Sequence, residues 1–172
     1  MAPIIKPPPQ EKQSLDPRDY QVRIIVAGSR GYSDRREFHD VVCKFIERFE
    51  GQDLLFISGA ASSGADDFII RWCKRYGYPC KEMPADWDNP EYKTSSGKSR
   101  AGFVRNADMA RIGTHLLAFY DGQSPGTAGM IDEAIREKLT VKIVKVTLPD
   151  KDGVHIVATP VEPKSIAKME WI

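Results

Sequence analysis

Val22-Arg23-Ile24-Ile25-Val26-Ala27-Gly28-Ser29-Arg30-Gly31-Tyr32-Ser33-Asp34 is the stretch that decides the fold. Its first seven residues form a short apolar run ending in glycine, which reads as a buried strand. From Asp34 the period changes: Phe38, Val41, Val42, Phe45, Ile46 and Phe49 fall at helical spacing, and Gly51 ends the run. A buried strand, a glycine-bearing turn and an amphipathic helix make the first half of a βαβ unit.

The same alternation continues along the chain. Residues 54–58 are a second strand, and Phe68, Ile69, Trp72, Cys73 and Tyr76 mark a second helical face stopped by Gly77. Residues 80–83 are a shorter third strand. A long polar segment, 84–100, follows, and a loop of that length inside a compact domain is usually functional or mobile. A helix over 101–112, a strand over 115–120, a helix after Thr127 and a strand over 141–146 complete the series. Residues 149–153 read as a turn into an antiparallel edge strand over 154–158. The expectation is an α/β, Rossmann-like three-layer fold. Its sheet is mostly parallel with right-handed crossovers and strand order 3-2-1-4-5.

At 172 residues the chain is expected to hold one domain, over 20–148. Residues 1–19, with Pro7-Pro8-Pro9, read as a disordered Pro-rich tail rather than a partner-binding segment, and 149–172 as a C-terminal extension. Lys plus Arg is 25 and Asp plus Glu is 24, a net charge of +1, which argues against a bulk electrostatic grip on nucleic acid or anionic membrane. Cys43, Cys73 and Cys80 are an odd number without close spacing, so neither a disulfide scaffold nor a cysteine-rich zinc site is expected. No apolar run approaches the length of a membrane span, and the polar N-terminus does not read as a secretory signal. A cytoplasmic location with reduced thiols is the expectation.

In open α/β sheets ligands bind beyond the carboxyl ends of the strands, and three loops there are rich in small and polar residues. In the first, Gly28 lets backbone approach a ligand, Ser29 follows, and Arg30 suits a phosphate or carboxylate; Asp34 is the expected N-cap. The Rossmann dinucleotide fingerprint is absent, and strand two ends in Ser58 rather than an acid, so a nicotinamide cofactor is disfavoured. In the second, Gly59 and Gly64 have Walker A spacing, but Ala65-Asp66 replaces the phosphate-binding lysine and metal-binding hydroxyl, so an ATPase loop is excluded. Ser58, Gly59, Ala60 and Gly64 remain as a small-residue loop, and Asp66 either caps the following helix or binds a ribose hydroxyl. In the third, Asp121-Gly122 leads into Ser124, Gly126 and Thr127, a phosphate cradle at a helix start.

Arg105 and Asn106, early in the third helix, are candidates for the crevice rim, while Lys93, Lys98 and Arg100 add positive charge to the long loop or are simply solvated. Trp87 either packs that loop or stacks on a base. His39, His115 and His155 show no ligand spacing and read as structural, and no metal or cofactor is expected.

These motifs in this order resemble the YspA-like, cpYpsA-related branch of the SLOG superfamily. They are Gly28-Ser29-Arg30, Ser58-Gly59-Ala60 with Gly64-Ala65-Asp66, Pro84-Ala85-Asp86-Trp87, Gly102 with Arg105-Asn106, and Asp121-Gly122 with Ser124-Pro125-Gly126-Thr127. The superfamily groups the Smf/DprA proteins with the Lonely Guy enzymes and is widespread in bacteria and phages. The resemblance covers residues 22–146 and implies a Rossmann-like fold that binds nucleotides or their derivatives.

Lonely Guy enzymes cleave the N-glycosidic bond of nucleoside monophosphates. By that resemblance Arg105 is the catalytic or phosphate-clamping arginine and Ser124-Pro125-Gly126-Thr127 the phosphate loop. Those enzymes carry a glutamate three residues beyond the loop threonine, where this chain has Met130. Either Asp34, Asp66 or Asp121 supplies the acid, or the protein binds without cleaving. The leading expectation is a nucleotide-binding sensor or sequestering protein. N-glycoside hydrolysis is the alternative, with Arg105, Asp66 and Asp121 as catalytic candidates. DprA-like DNA binding is the weakest. A homodimer is implied by resemblance alone.

Overall fold

Strand β1 (Val22–Gly28) is the middle of the sheet, and its alternation decides what each face covers. Ile24 and Val26 lie in one buried cluster, and Ile25 and Ala27 in the other. Both faces are therefore apolar, as parallel sheets flanked by helices require. The computed structural model describes residues 14–148.

The remaining elements are α1 (Arg35–Ile46), β2 (Leu54–Ser58), α2 (Ala65–Tyr76), β3 (Cys80–Glu82), α3 (Ala101–Ile112), β4 (His115–Tyr120), α4 (Pro125–Arg136) and β5 (Thr140–Lys145). The five strands are all parallel in the order β3-β2-β1-β4-β5, as the alternation of periods predicts. Helices α1 and α2 pack on the face of Phe56 and Phe119, and α3 and α4 on the face of Leu116 and Tyr120. Each of these fully buried side chains contributes about 1.5–3 kcal/mol.

Local chemistry sets the element ends. The Asp34 carboxylate accepts the Glu37 amide at 3.0 Å and caps α1, as expected. Gly77 ends α2 in the left-handed conformation, φ 79°, where glycine carries no Cβ penalty. Helix α4 begins three residues earlier than the apolar spacing suggests, because Ser124 caps it and Pro125 takes the first helical position.

Two sequence expectations change. The tail read to residue 19 includes a capped turn: Pro17–Asp19 form a 3-10 helix behind Asp16, and the Tyr20 hydroxyl donates to the Ser14 carbonyl at 2.6 Å. Proline and a capping carboxylate give local order that composition alone does not report. The 84–100 segment contains a small hairpin, with Lys93 bridged to Ser99 and the Arg100 amide donating to the Tyr92 carbonyl at 2.7 Å. The edge strand expected over 154–158 lies outside the described residues. Among the described residues no helix is long and apolar enough to cross a membrane.

Candidate functional site

The β1–α1 connection leaves the sheet on one face and the β4–α4 connection on the other. Adjacent strand ends, with Gly28 beside Phe119, therefore open a crevice between diverging loops. A cavity of about 460 Å³ occupies it, within the range of small-molecule sites.

From the first loop, Gly28, Ser29 and Arg30 line the cavity. Gly28 is needed for packing: a Cβ there would stand 2.7 Å from the Phe119 carbonyl oxygen and 2.8 Å from the Ala65 Cβ, so α2 could not sit against the sheet. That is a different reason from the ligand approach the sequence suggests. Ser29 is 4% exposed, and its Oγ has no hydrogen-bond partner among the described residues. Buried hydroxyls are rarely left unpaired, and the cost is about 1–3 kcal/mol. Arg30 is exposed at the rim.

In the second loop only Asp66 of the predicted residues lines the cavity, together with Ala61. Ser58, Gly59, Ala60 and Gly64 shape the loop instead. The Ser58 hydroxyl donates to the Asp66 carbonyl at 2.9 Å and accepts the Ala60 amide at 3.1 Å. Ala60 holds φ 58°, uncommon for a residue with a Cβ. Gly64, φ 76° and ψ −154°, is the N-cap of α2 and makes no side-chain cap bond. Asp66 therefore does not cap the helix. It is the second residue of the helix, 7% exposed, and its Oδ2 accepts the Ala61 amide at 3.3 Å. Burial raises its pKa above the ordinary carboxylate value, opposed by the Ala61 amide and the Arg105 and Arg30 charges.

Arg105, on α3, is the hub. Its Nη1 donates to the Gly59 carbonyl and, at 3.3 Å, to the Met83 carbonyl, and its Nε donates to Asn106 Oδ1 at 3.1 Å. Burial lowers its pKa and Asp66 raises it, and it stays a cation. Asn106 Nδ2 donates to the Gly126 carbonyl at 3.2 Å and so ties α3 to the start of α4. Arg105 thus clamps the ends of β2 and β3 while lining the cavity.

The third loop brings Asp121, Ser124, Gly126 and Thr127 into the cavity wall, and leaves Gly122 in a turn at φ 82°. Asp121 Oδ1 accepts the Gln123 and Ser124 amides, both at 2.9 Å. Ser124 Oγ accepts the Thr127 amide at 3.4 Å and the Thr127 hydroxyl at 3.1 Å. Pro125 has no N–H. The cradle therefore offers fewer free donors than the sequence suggests: the Gly126 amide and the Ser124 hydroxyl. A Cβ on Gly126 would meet nothing within 4 Å, so the cavity is open beside its Cα.

Asp34 caps α1 and lies outside the cavity wall, as do Lys93, Lys98 and Arg100. Met130, at the position where a glutamate was expected by resemblance, is buried in the wall. Phe103 and Ser99 are wall residues that sequence reasoning missed. Phe103 carries a helical apolar residue's signature, and only its 55% exposure beside the cavity sets it apart. His39 accepts the Trp72 indole N–H at 3.1 Å through Nδ1, and His115 packs on Phe49 at 4.8 Å, so both serve packing. His155 lies outside the described residues.

Residues 22–89 match the family model of the YspA, cpYpsA-related SLOG family, so the resemblance read from the sequence is borne out there. In structure the chain is similar to DNA processing protein A (DprA) from Streptococcus pneumoniae, with a TM-score of 0.57 and 18% identity. The match covers 80% of this chain and 54% of that chain, so the chain spans about half of that relative's length. At this identity the likeness shows the shared fold alone. No curated protein matches the chain.

Proposed function

We propose that this protein binds a nucleotide or nucleotide-derived ligand in the cavity above β1 and β4, as a sensor or sequestering protein. The carrying observation is one cavity that gathers Arg30, Arg105 and the open start of α4 at the strand switch point. A phosphate would sit by the Gly126 amide and the Ser124 hydroxyl, where the helix dipole favours an anion, with the two arginines as counter-charges. The unpartnered Ser29 hydroxyl supports a hydroxyl-bearing ligand reaching the end of β1.

The test is a thermal shift with nucleoside mono- and diphosphates, cyclic nucleotides and ADP-ribose. Arg30→Ala is the informative variant, because Arg30 is exposed at the rim and ties down no other loop. The expected result is a stabilising ligand whose effect falls about tenfold in affinity with Arg30→Ala, the size of one charge-assisted contact. No shift across the panel would count against nucleotide binding.

N-glycoside hydrolysis is kept as a second reading because Asp66 brings a buried carboxyl into the cavity where Met130 brings none. Asp66, ionised, would take a proton from water as that water adds to the ribose C1′ and the base leaves with the C–N bonding electrons; the same proton then passes from Asp66 to the departing base, which restores the carboxylate. Chromatography decides it: free base that disappears with Asp66→Asn supports hydrolysis. Intact nucleotide after long incubation with a bound wild-type protein leaves binding alone.

A further inference from the structure

Trp87 and Phe103 are 49% and 55% exposed, which makes them two of the three exposed large hydrophobics among the described residues. Both line the same cavity. Other aromatics of this protein pack together, as Tyr32, Phe38, Phe68 and Phe119 do on the α1–α2 face. Trp87 and Phe103 have no ring partner among the described residues. Each is instead supported from one side by a helix at a glycine. A Cβ at Gly102 would stand 3.1 Å from Trp87 Cη2, and one at Gly129 would stand 3.4 Å from Phe103 Cε1. The glycines let the two rings settle on α3 and α4, and the rings' remaining surface is left to solvent at the cavity. The polar end of the same cavity is the start of α4 with Arg105.

We propose that Trp87 and Phe103 form the base-recognition element of this site, stacking on a heteroaromatic ring, so that the ligand class is base-bearing nucleotides rather than bare sugar phosphates. This rests on the nucleotide reading above. Aromatic stacking tolerates any base, because every base has a π-face. The pair therefore selects for the presence of a base more than for its identity.

Calorimetry on the full chain tests this with AMP, GMP, CMP, UMP and ribose 5-phosphate as probes. The expected result is that at least one nucleotide binds about tenfold or more tighter than ribose 5-phosphate. Trp87→Ala and Phe103→Ala each lose about tenfold for that nucleotide and leave ribose 5-phosphate unchanged. A second readout is fluorescence. In a Trp171→Phe background the nucleotide quenches tryptophan emission, and adding Trp87→Phe keeps the affinity but loses the quench, since Trp72 is buried on the other face. Equal binding of nucleotides and ribose 5-phosphate, or variants that bind nucleotide as the wild type does, overturns the proposal and leaves the phosphate site standing. Binding of none of the five probes, nor of any member of the thermal-shift panel above, overturns both.

Discussion

Gly59→Ala tests the Arg105 clamp without touching Arg105. A Cβ at position 59 would stand 2.5 Å from Arg105 Nη1, 2.7 Å from its Cζ and 2.9 Å from Asp66 Oδ2. Gly59 is not among the glycines with positive φ, so alanine meets no backbone strain there. The guanidinium must give way, because it ends a flexible side chain whereas the loop backbone is fixed by Ser58. What is lost is the pair of charged hydrogen bonds to the Gly59 and Met83 carbonyls. One hydrogen bond to a charged group is worth about 1.5–3 kcal/mol, and the Met83 bond is long, so the expected loss is about 2 kcal/mol. With a urea slope of about 1.5 kcal/mol/M, the unfolding midpoint falls by about 1 M. In an Arg105→Ala background the same substitution should cost less than about 0.5 kcal/mol, because the group it displaces is gone. A midpoint within error of the wild type, or full additivity with Arg105→Ala, would refute the clamp.

Other outcomes follow from the same loop. Gly64→Ala is expected to be far worse than Gly59→Ala, by about 3 kcal/mol or more, because φ 76° is strained for alanine and the new Cβ would strike the Ser29 carbonyl. Circular dichroism melts check it, and a variant as stable as the wild type would sink the stated geometry. Ala60→Gly should shift the other way, gaining about 1 kcal/mol by relieving φ 58°; a loss on urea unfolding would contradict that. Asp66→Asn concerns pH. The folded pKa of Asp66 is raised, so the native state binds more protons than the unfolded chain, and stability declines as pH rises from the unfolded carboxylate value through the folded one. The variant lacks that decline, so its advantage over wild type should grow with pH over that window and then stay constant. Parallel stability curves for the two proteins would disprove the raised pKa.

The sheet was legible in the sequence because each strand is a short apolar run and each helix shows a different period. Val22–Gly28, Leu54–Ser58 and His115–Tyr120 are bounded as their runs are. The parallel sheet followed from the alternation, since parallel strands require crossovers, and the order β3-β2-β1-β4-β5 is one that this fold type favours. Arg30, Asp121, Ser124, Gly126 and Thr127 were legible as cavity-wall residues because the fold type opens its crevice between those loops, and Arg105 and Asn106, on α3, because that helix follows the long loop.

Which of several small residues faces the cavity was not legible. Gly28, Gly59 and Gly64 each make room for another part of this protein: Ala65, Arg105 and the Ser29 carbonyl. Glycine in a sequence reports that space is needed and not what fills it. Asp66 could cap a helix or face a cavity, and the choice depended on where α2 begins, one residue after Gly64. Phe103 and Trp87 carry no local mark of exposure, because hydrophobic spacing is the same whether a ring is buried or left open. Local chemistry along the chain determined the elements and their ends. Only contacts between residues far apart in sequence, such as Arg105 with Gly59 and Asn106 with Gly126, decided which side chains line the cavity and which hold it open.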